Sequence, residues 1–253
     1  MRRRGCARAA QPLSRPGGGK AREQARRVTF HGDMTTRRGR ANAWLDSLVA
    51  DHGLLRLGWT NWGVVAPGRV YRCNHPTPGR LARACRRHGL RTIINLRGLA
   101  GNGSDALTRE MAARLGVDFV DVTLFSRGPP PRAEVLKLAE TFRTMREPAL
   151  LHCKSGADRA GLAAGLFLLL EGASPAEALG QLSLRHLHFR QSRTGILDAF
   201  LLSYIRDAEG RKGFLDWVRE EYDEAALLAE FRAHGLARFR RPGPGREFAA
   251  RLM

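Results

Sequence analysis

Residues 149–161 constrain this chain more than any other stretch. A short apolar strand, Ala149-Leu150-Leu151-His152, enters the turn Cys153-Lys154-Ser155-Gly156-Ala157-Asp158-Arg159, and a glycine-broken apolar helix follows through Leu170. A strand this apolar is buried on both faces, as in a parallel sheet covered by helices. Its neighbours repeat the pattern. Thr92-Ile93-Ile94-Asn95-Leu96 is β-branched and apolar, and Val117 to Leu124 forms another strand. Between them, Thr77-Pro78 starts a helix that Gly89 ends, a second helix stops before Gly116, and a third runs from Arg132 to Met145 behind Pro129-Pro130-Pro131. Strands alternating with helices imply right-handed crossovers and an α/β fold: a mostly parallel central sheet of four to five strands flanked by helices. A helical C-terminal part is expected from the capping box Ser174-Pro175-Ala176-Glu177 and the amphipathic segments Ile196 to Ile205 and Ala225 to Phe231.

In such sheets ligands bind beyond the carboxyl ends of the strands, which is where Cys153 falls. A strand-to-helix turn aims successive main-chain N–H groups and a helix amino terminus at one point, a nest for a tetrahedral anion. Lys154, Ser155, Gly156, Ala157, Asp158 and Arg159 are the candidate phosphate-binding residues, with Gly156 permitting close backbone approach. The same positive potential favours a thiolate, so Cys153 is the candidate nucleophile. Arg159, in the first turn of the helix, can reach back and hold two phosphoryl oxygens with its planar fork.

Length and charge set the frame. At 253 residues the chain is expected to build one main core. Residues 1–40 read as a disordered basic extension, with Met34 an alternative start, 41–235 as the catalytic domain, and 236–253, containing Pro242-Gly243-Pro244-Gly245, as a flexible tail. Trp44, Leu45, Leu48 and Val49 recur at helical spacing, predicting a helix from Ala41 that Gly53 ends. Of the net charge of +19, residues 1–40 supply twelve Arg/Lys against two acidic residues. Only four of the 43 basic residues are lysine, a bias that points to arginine-rich composition rather than to a specific nucleic-acid partner. The longest apolar run, Ala160 to Leu170, is too short to span a bilayer, and a cytoplasmic protein with no transmembrane segment is expected. Cys6, Cys73, Cys85 and Cys153 form no C-x-x-C pair, which fits reduced thiols better than disulfides or a zinc cage. His186-Leu187-His188 lacks a third ligand motif, so no metal is expected there, and with Arg185 and Arg190 it reads as a basic surface or substrate rim.

Cysteine, five residues and arginine, preceded by histidine and an apolar strand, resembles the signature of the protein-tyrosine-phosphatase superfamily, bacterial dual-specificity-like members above all. The likeness extends to Val70-Tyr71-Arg72-Cys73-Asn74-His75-Pro76, Ile94-Asn95-Leu96-Arg97-Gly98, Phe214-Leu215-Asp216-Trp217-Val218 and Glu221-Tyr222-Asp223. It implies a phosphatase-like fold and hydrolysis of phosphate monoesters through a phosphocysteine intermediate, without metal or organic cofactor. The expected substrate is a phosphorylated protein or a small phosphate monoester. A phosphoinositide or other small-molecule phosphatase, a catalytically weak phosphate-binding module, and a sulfur-transfer or arsenate-reducing enzyme are the alternatives.

The resemblance is incomplete at the general acid. Relatives usually carry an Asp on a loop some thirty residues before the Cys, but Ser126 to Pro131 holds no carboxylate. Asp121 has that separation but falls within a strand. Asp158, beside the signature Arg as in myotubularin-like lipid phosphatases, is the favoured catalytic acid. Ala160 replaces a Ser or Thr that helps the thiolate leave in many relatives. His152 is expected to orient the loop by a hydrogen bond. Cys73 and Cys85 are expected to be inert, with a redox partnership of Cys73 and Cys153 the alternative if the two come within disulfide reach.

Overall fold

The computed structural model describes residues 30, 32–49, 51 and 58–239. The expectations for residues 1–29, for Gly53 and for the Pro242–Gly245 stretch lie outside these.

Five strands form one sheet in the order β1-β2-β5-β3-β4: β1 (Gly63–Ala66), β2 (Val70–Cys73), β3 (Thr92–Asn95), β4 (Asp118–Asp121) and β5 (Ala149–His152). β2, β5, β3 and β4 pair in parallel, and only the edge strand β1 runs antiparallel, to β2. The hairpin joining them turns at Pro67-Gly68, where Gly68 takes a φ of 73°. Sequence periodicity did not single out β1, because four residues are too few to show a repeat. The strand expected from Val117 to Leu124 pairs with β3 only over Asp118–Asp121, after which Thr123 makes an isolated bridge to Arg97.

The helices are α1 (Arg37–Leu48), α2 (Pro78–His88), α3 (Gly103–Leu115), α4 (Arg132–Thr144), α5 (Asp158–Leu170), α6 (Pro175–Gly180), α7 (Ile196–Asp207), α8 (Phe214–Glu220) and α9 (Glu224–His234). Their ends follow local chemistry. Thr77 caps α2 by accepting from the Arg80 N–H, Gly89 and Gly116 close α2 and α3 in the left-handed conformation, and Ser174 with Glu177 forms the expected capping box. α1 begins at Arg37 rather than Ala41, since the Thr36 hydroxyl caps the Gly39 N–H and starts the helix before its apolar residues do.

Alternation along the strands sorts their side chains between two layers. Ile94 and Leu151 face the larger core with Leu162, Leu166 and Phe167 of α5, whereas Ile93, Leu150, Tyr71 and Cys73 face Leu81 of α2 and Ala112 of α3. α5 is buried from Ala160 to Phe167, and its glycines admit α6: a Cβ on Gly165 would sit 2.5 Å from the Ala178 carbonyl oxygen. On the far side of α5 the C-terminal helices close over an aromatic cluster. Phe200 meets Trp217 and Tyr222 at centroid distances of 5.6 and 4.8 Å, and the Tyr222 hydroxyl donates to the Pro130 carbonyl at 2.9 Å. Each such ring pair contributes about 0.5–1.5 kcal/mol beyond its buried area. That packing fixes α5, and α5 fixes the turn at its amino end. Among the described residues no helix is long and apolar enough to cross a membrane.

Candidate active site

β5 ends at His152, at the centre of the sheet between β2 and β3, and α5 starts at Asp158. The connecting loop is held from outside by its carbonyls. Lys154 O accepts from the His75 main-chain N–H at 3.2 Å, and Ser155 O accepts from Asn61 Nδ2 at 2.9 Å. Gly156 O and Ala157 O both accept from Nη2 of Arg72, at 2.8 and 2.9 Å. In a trans peptide the N–H points opposite to the C=O. Four carbonyls anchored outward therefore turn the N–H groups of Ser155, Gly156, Ala157 and Asp158 inward. Cys153 Sγ lies on that inner side, accepting from the Gly156 N–H at 3.2 Å.

Gly156 is required by its backbone. Its φ is 75°, and a Cβ there would lie 2.6 Å from Asn74 N and 2.7 Å from Cys73 C, main-chain atoms of the neighbouring strand end. Cys153 is only 1 % exposed, so a ligand must come to it through the mouth of the nest. Arg159 is half-buried, and its Nε is buried with no hydrogen-bond partner among the described residues, an uncommitted donor at the first turn of α5.

Arg72 is the organising residue that sequence reading left without a role. It is fully buried, and besides the loop carbonyls it donates from Nη1 to Gln181 O at 2.8 Å, so one guanidinium joins the loop to the end of α6. Burial lowers its pKa to about 10, against the opposing pull of acidic groups near it, Asp158 among them. One signal was available: a cation inside the otherwise apolar strand Val70-Tyr71-Arg72-Cys73 must have buried acceptors waiting for it.

The two candidate acids occupy different surroundings. Asp121 Oδ1 accepts from Arg109 Nη2 at 2.6 Å and from Asn95 Nδ2 at 2.9 Å, which ties it to α3 and β3 on the α2–α3 side of the sheet. Asp158 stays in the loop, where its Oδ1 bonds Nδ1 of His188 at 2.8 Å. His188 is not the basic surface residue that its neighbours suggested. Its side chain is wholly buried, and its Nε2 bonds Oδ2 of Asp198 at 2.6 Å. Desolvation alone would lower the imidazole pKa, but the hydrogen bonds to Asp158 and Asp198 reverse this and raise it to about 9. His186 instead bonds Asn61 Oδ1 at 3.0 Å and is lowered to about 4, chiefly by burial. Among the described residues no cluster of His, Cys, Asp and Glu is arranged to hold a metal ion.

Strand alternation turns the His152 ring toward the α2–α3 side, edge-on to His75 at 4.7 Å. Burial lowers it to about 3 against an opposing interaction of the ring with the Cys153 main chain, so it is a neutral group that still touches the start of the loop. Cys73 belongs to the α2–α3 core and Cys153 to the α5 core, so the two thiols face opposite sides of the sheet, contrary to the redox pairing considered from sequence. Burial also pushes the Cys73 thiol far up, which leaves it inert. Lys154 sits at the mouth, 3.4 Å from Asp51, and Arg97 makes a two-point ion pair with the same carboxylate at 2.8 and 2.9 Å.

Residues 130–181, which carry the proline turn, α4, β5, the loop, α5 and the start of the next segment, match the model of the tyrosine phosphatase family. Over this segment, about a fifth of its length, the chain is similar to that family. The mostly parallel five-stranded sheet with flanking helices is the α/β architecture expected from sequence. By sequence alone no curated protein matches. Among solved structures, the core catalytic domain of the PP-IP phosphatase SIW14 from S. cerevisiae is similar at 17% identity over 70% of this chain and 94% of that one, with a TM-score of 0.43. P. aeruginosa TpbA in complex with pTyr is similar at 20% identity over 66% and 95%, also with a TM-score of 0.43. A putative phosphatase from Shewanella putrefaciens CN-32 shares 17% identity over 59% and 92%, with a TM-score of 0.46.

Proposed function

We propose that this phosphatase-family chain hydrolyses phosphate monoesters, with phosphotyrosine or dual-specificity protein substrates as the leading class, through a phosphocysteine at Cys153. The observation that carries this reading is the outward anchoring of four consecutive loop carbonyls, which turns their N–H partners onto the side where Cys153 Sγ lies. The inward amides and the Arg159 fork hold the three non-bridging oxygens, and they hold them more strongly as charge moves onto them in the transition state.

In the first step the Cys153 thiolate attacks phosphorus. The S–P bond forms, the P–O bond to the substrate breaks, and Asp158 gives its proton to the leaving oxygen. In the second step water attacks the phosphocysteine, Asp158 takes back a proton, and the thiolate leaves with its electron pair. The sum is monoester plus water giving alcohol and inorganic phosphate. Asp158 is preferred to Asp121 because it stays in the loop, while Asp121 is bound to Arg109 and Asn95.

The test is hydrolysis of an aryl phosphate and of a phosphotyrosine peptide by the wild type and by Cys153→Ser. Vanadate-sensitive, chelator-insensitive turnover that disappears in the variant is expected. Full activity in Cys153→Ser sinks the proposal. Binding of the phosphopeptide without any turnover would favour a phosphate-binding module instead.

A further inference from the structure

Asp158 does not stand alone in the loop. A straight chain of side chains, Asp158 Oδ1 to His188 Nδ1 at 2.8 Å and His188 Nε2 to Asp198 Oδ2 at 2.6 Å, links the start of α5 through an extended loop to the first turn of α7. His188 has no solvent-exposed side-chain surface and Asp198 is 2 % exposed, whereas Asp158, 18 % exposed, is the member at the loop. The imidazole uses both nitrogens on carboxylates. Only the doubly protonated ring can donate to both at once.

We infer that His188 is a positioning residue for the phosphatase reaction: as an imidazolium clamped by Asp198, it fixes the Asp158 carboxyl group and balances its charge whenever Asp158 is ionised.

The inference rests on the phosphatase reading above, and it places the effect in the second step. After protonating the leaving group, Asp158 is a carboxylate in the same loop as a phosphocysteine dianion, and like charges repel. A cation directly behind it, donating at 2.8 Å, offsets that repulsion and holds the acceptor oxygen in place for the attacking water. The charges around the ring support an imidazolium. Asp158 from α5 and Asp198 from α7 flank it, Arg190 approaches Asp198 at 3.5 Å from the side of His188's own loop, and Arg72 of β2 couples to Asp158. The elevated pKa of about 9 agrees with this arrangement.

The experiment pairs kinetics with a spectroscopic readout on the full-length protein. In ¹⁵N-histidine spectra of the wild type, both His188 nitrogens should carry protons at pH 7 and lose one near pH 9, and Asp158→Asn should lower that midpoint. A ring that is neutral at pH 7, or indifferent to Asp158→Asn, overturns the inference whatever the enzyme does. In His188→Gln, kcat for an aryl phosphate should fall roughly ten- to a hundredfold, the loss expected of one charged hydrogen bond. kcat/KM should fall much less, with phosphoenzyme accumulating in a burst, and the decline of wild-type kcat near pH 9 should vanish. A fall of kcat and kcat/KM together, or an unmoved alkaline decline, marks a merely structural residue and also overturns it. Asp198→Asn, which keeps an acceptor for Nε2, should give the same changes in smaller degree and serves if His188→Gln does not fold. A wild type that never turns over sinks the phosphatase reading and the positioning role with it, whereas a neutral or uncoupled His188 in a protein that does turn over sinks the positioning role alone.

Discussion

Replacing Arg72 with methionine separates what this arginine does for stability from what it does for the loop. The change removes a buried cation and with it the donors to Gly156 O, Ala157 O and Gln181 O. Ala157 O keeps the Gly161 N–H, so Gly156 O and Gln181 O are the two carbonyls left unpaired, and at about 1–3 kcal/mol each the loss is roughly 2–6 kcal/mol. Against this, burial has lowered the guanidinium to about 10 from 12.5, which means that keeping it charged costs on the order of 3 kcal/mol that methionine does not incur. The net destabilisation is therefore modest, at most about 3 kcal/mol. Activity should respond far more, since a Gly156 carbonyl freed to rotate lets the Ala157 amide turn out of the nest, and a displacement of about 1 Å at reacting groups costs on the order of a hundredfold. Urea unfolding and kcat/KM on an aryl phosphate measure the two effects side by side. A variant that loses most of its stability, or one that keeps wild-type kcat/KM, refutes the view that Arg72 shapes the nest more than it stabilises the fold.

Two further outcomes follow from the same geometry. Gly156→Ala should destabilise the protein by about 2–4 kcal/mol in urea unfolding and abolish aryl phosphate turnover, because its φ of 75° is strained for alanine and its Cβ meets main-chain atoms at 2.6 Å; unchanged stability would mean that the loop tolerates another path. His188, raised to about 9 in the fold, contributes stability that is fully present below the unfolded imidazole value of about 6.5 and lost as pH rises through 9. That contribution is roughly 2 kcal/mol once the solvent contact of Asp158 is discounted, and Tm should fall between those pH values in the wild type but not in His188→Gln.

Where the sequence was legible, the cause was local. Gly89 and Gly116 end helices because their own φ values are positive, Ser174 and Glu177 cap each other three residues apart, and the short apolar strand before Cys153 sits mid-sheet because an apolar strand needs cover on both faces. The loop could be read for the same reason, since its nucleophile, glycine and arginine lie within seven consecutive residues. What stayed hidden depends on contacts across the chain. Arg72 reaches Gly156 over 84 positions, Asn61 reaches Ser155 over 94, and His188 reaches Asp158 over 30, and no spacing rule joins such pairs. His188 was further obscured by its company, because Arg185, His186 and Arg190 suggest a solvated basic edge while the turn through Leu187, at a φ of 60°, sends the next side chain inward.

These hidden contacts also explain how the loop can carry an acid at all. A nest that receives a phosphate dianion over a thiolate already concentrates negative charge, and a carboxylate in the same loop adds to it. Arg72 holds the loop carbonyls and adds positive potential at Asp158, while the cation hydrogen-bonded to the Asp158 carboxylate is His188. The counter-charge for Asp158 comes from His188, and the charge of Asp198, which keeps that imidazole protonated, is met in turn by Arg190 at 3.5 Å. Once Asp158 has given up its proton, two carboxylates, one imidazolium and one guanidinium sum to zero, so the cluster does not repel the phosphocysteine beside it. Without His188 the Asp158 carboxylate would lose the cation hydrogen-bonded to it inside the phosphate nest, and for that reason the acid in this loop and the histidine thirty residues beyond it form one functional unit.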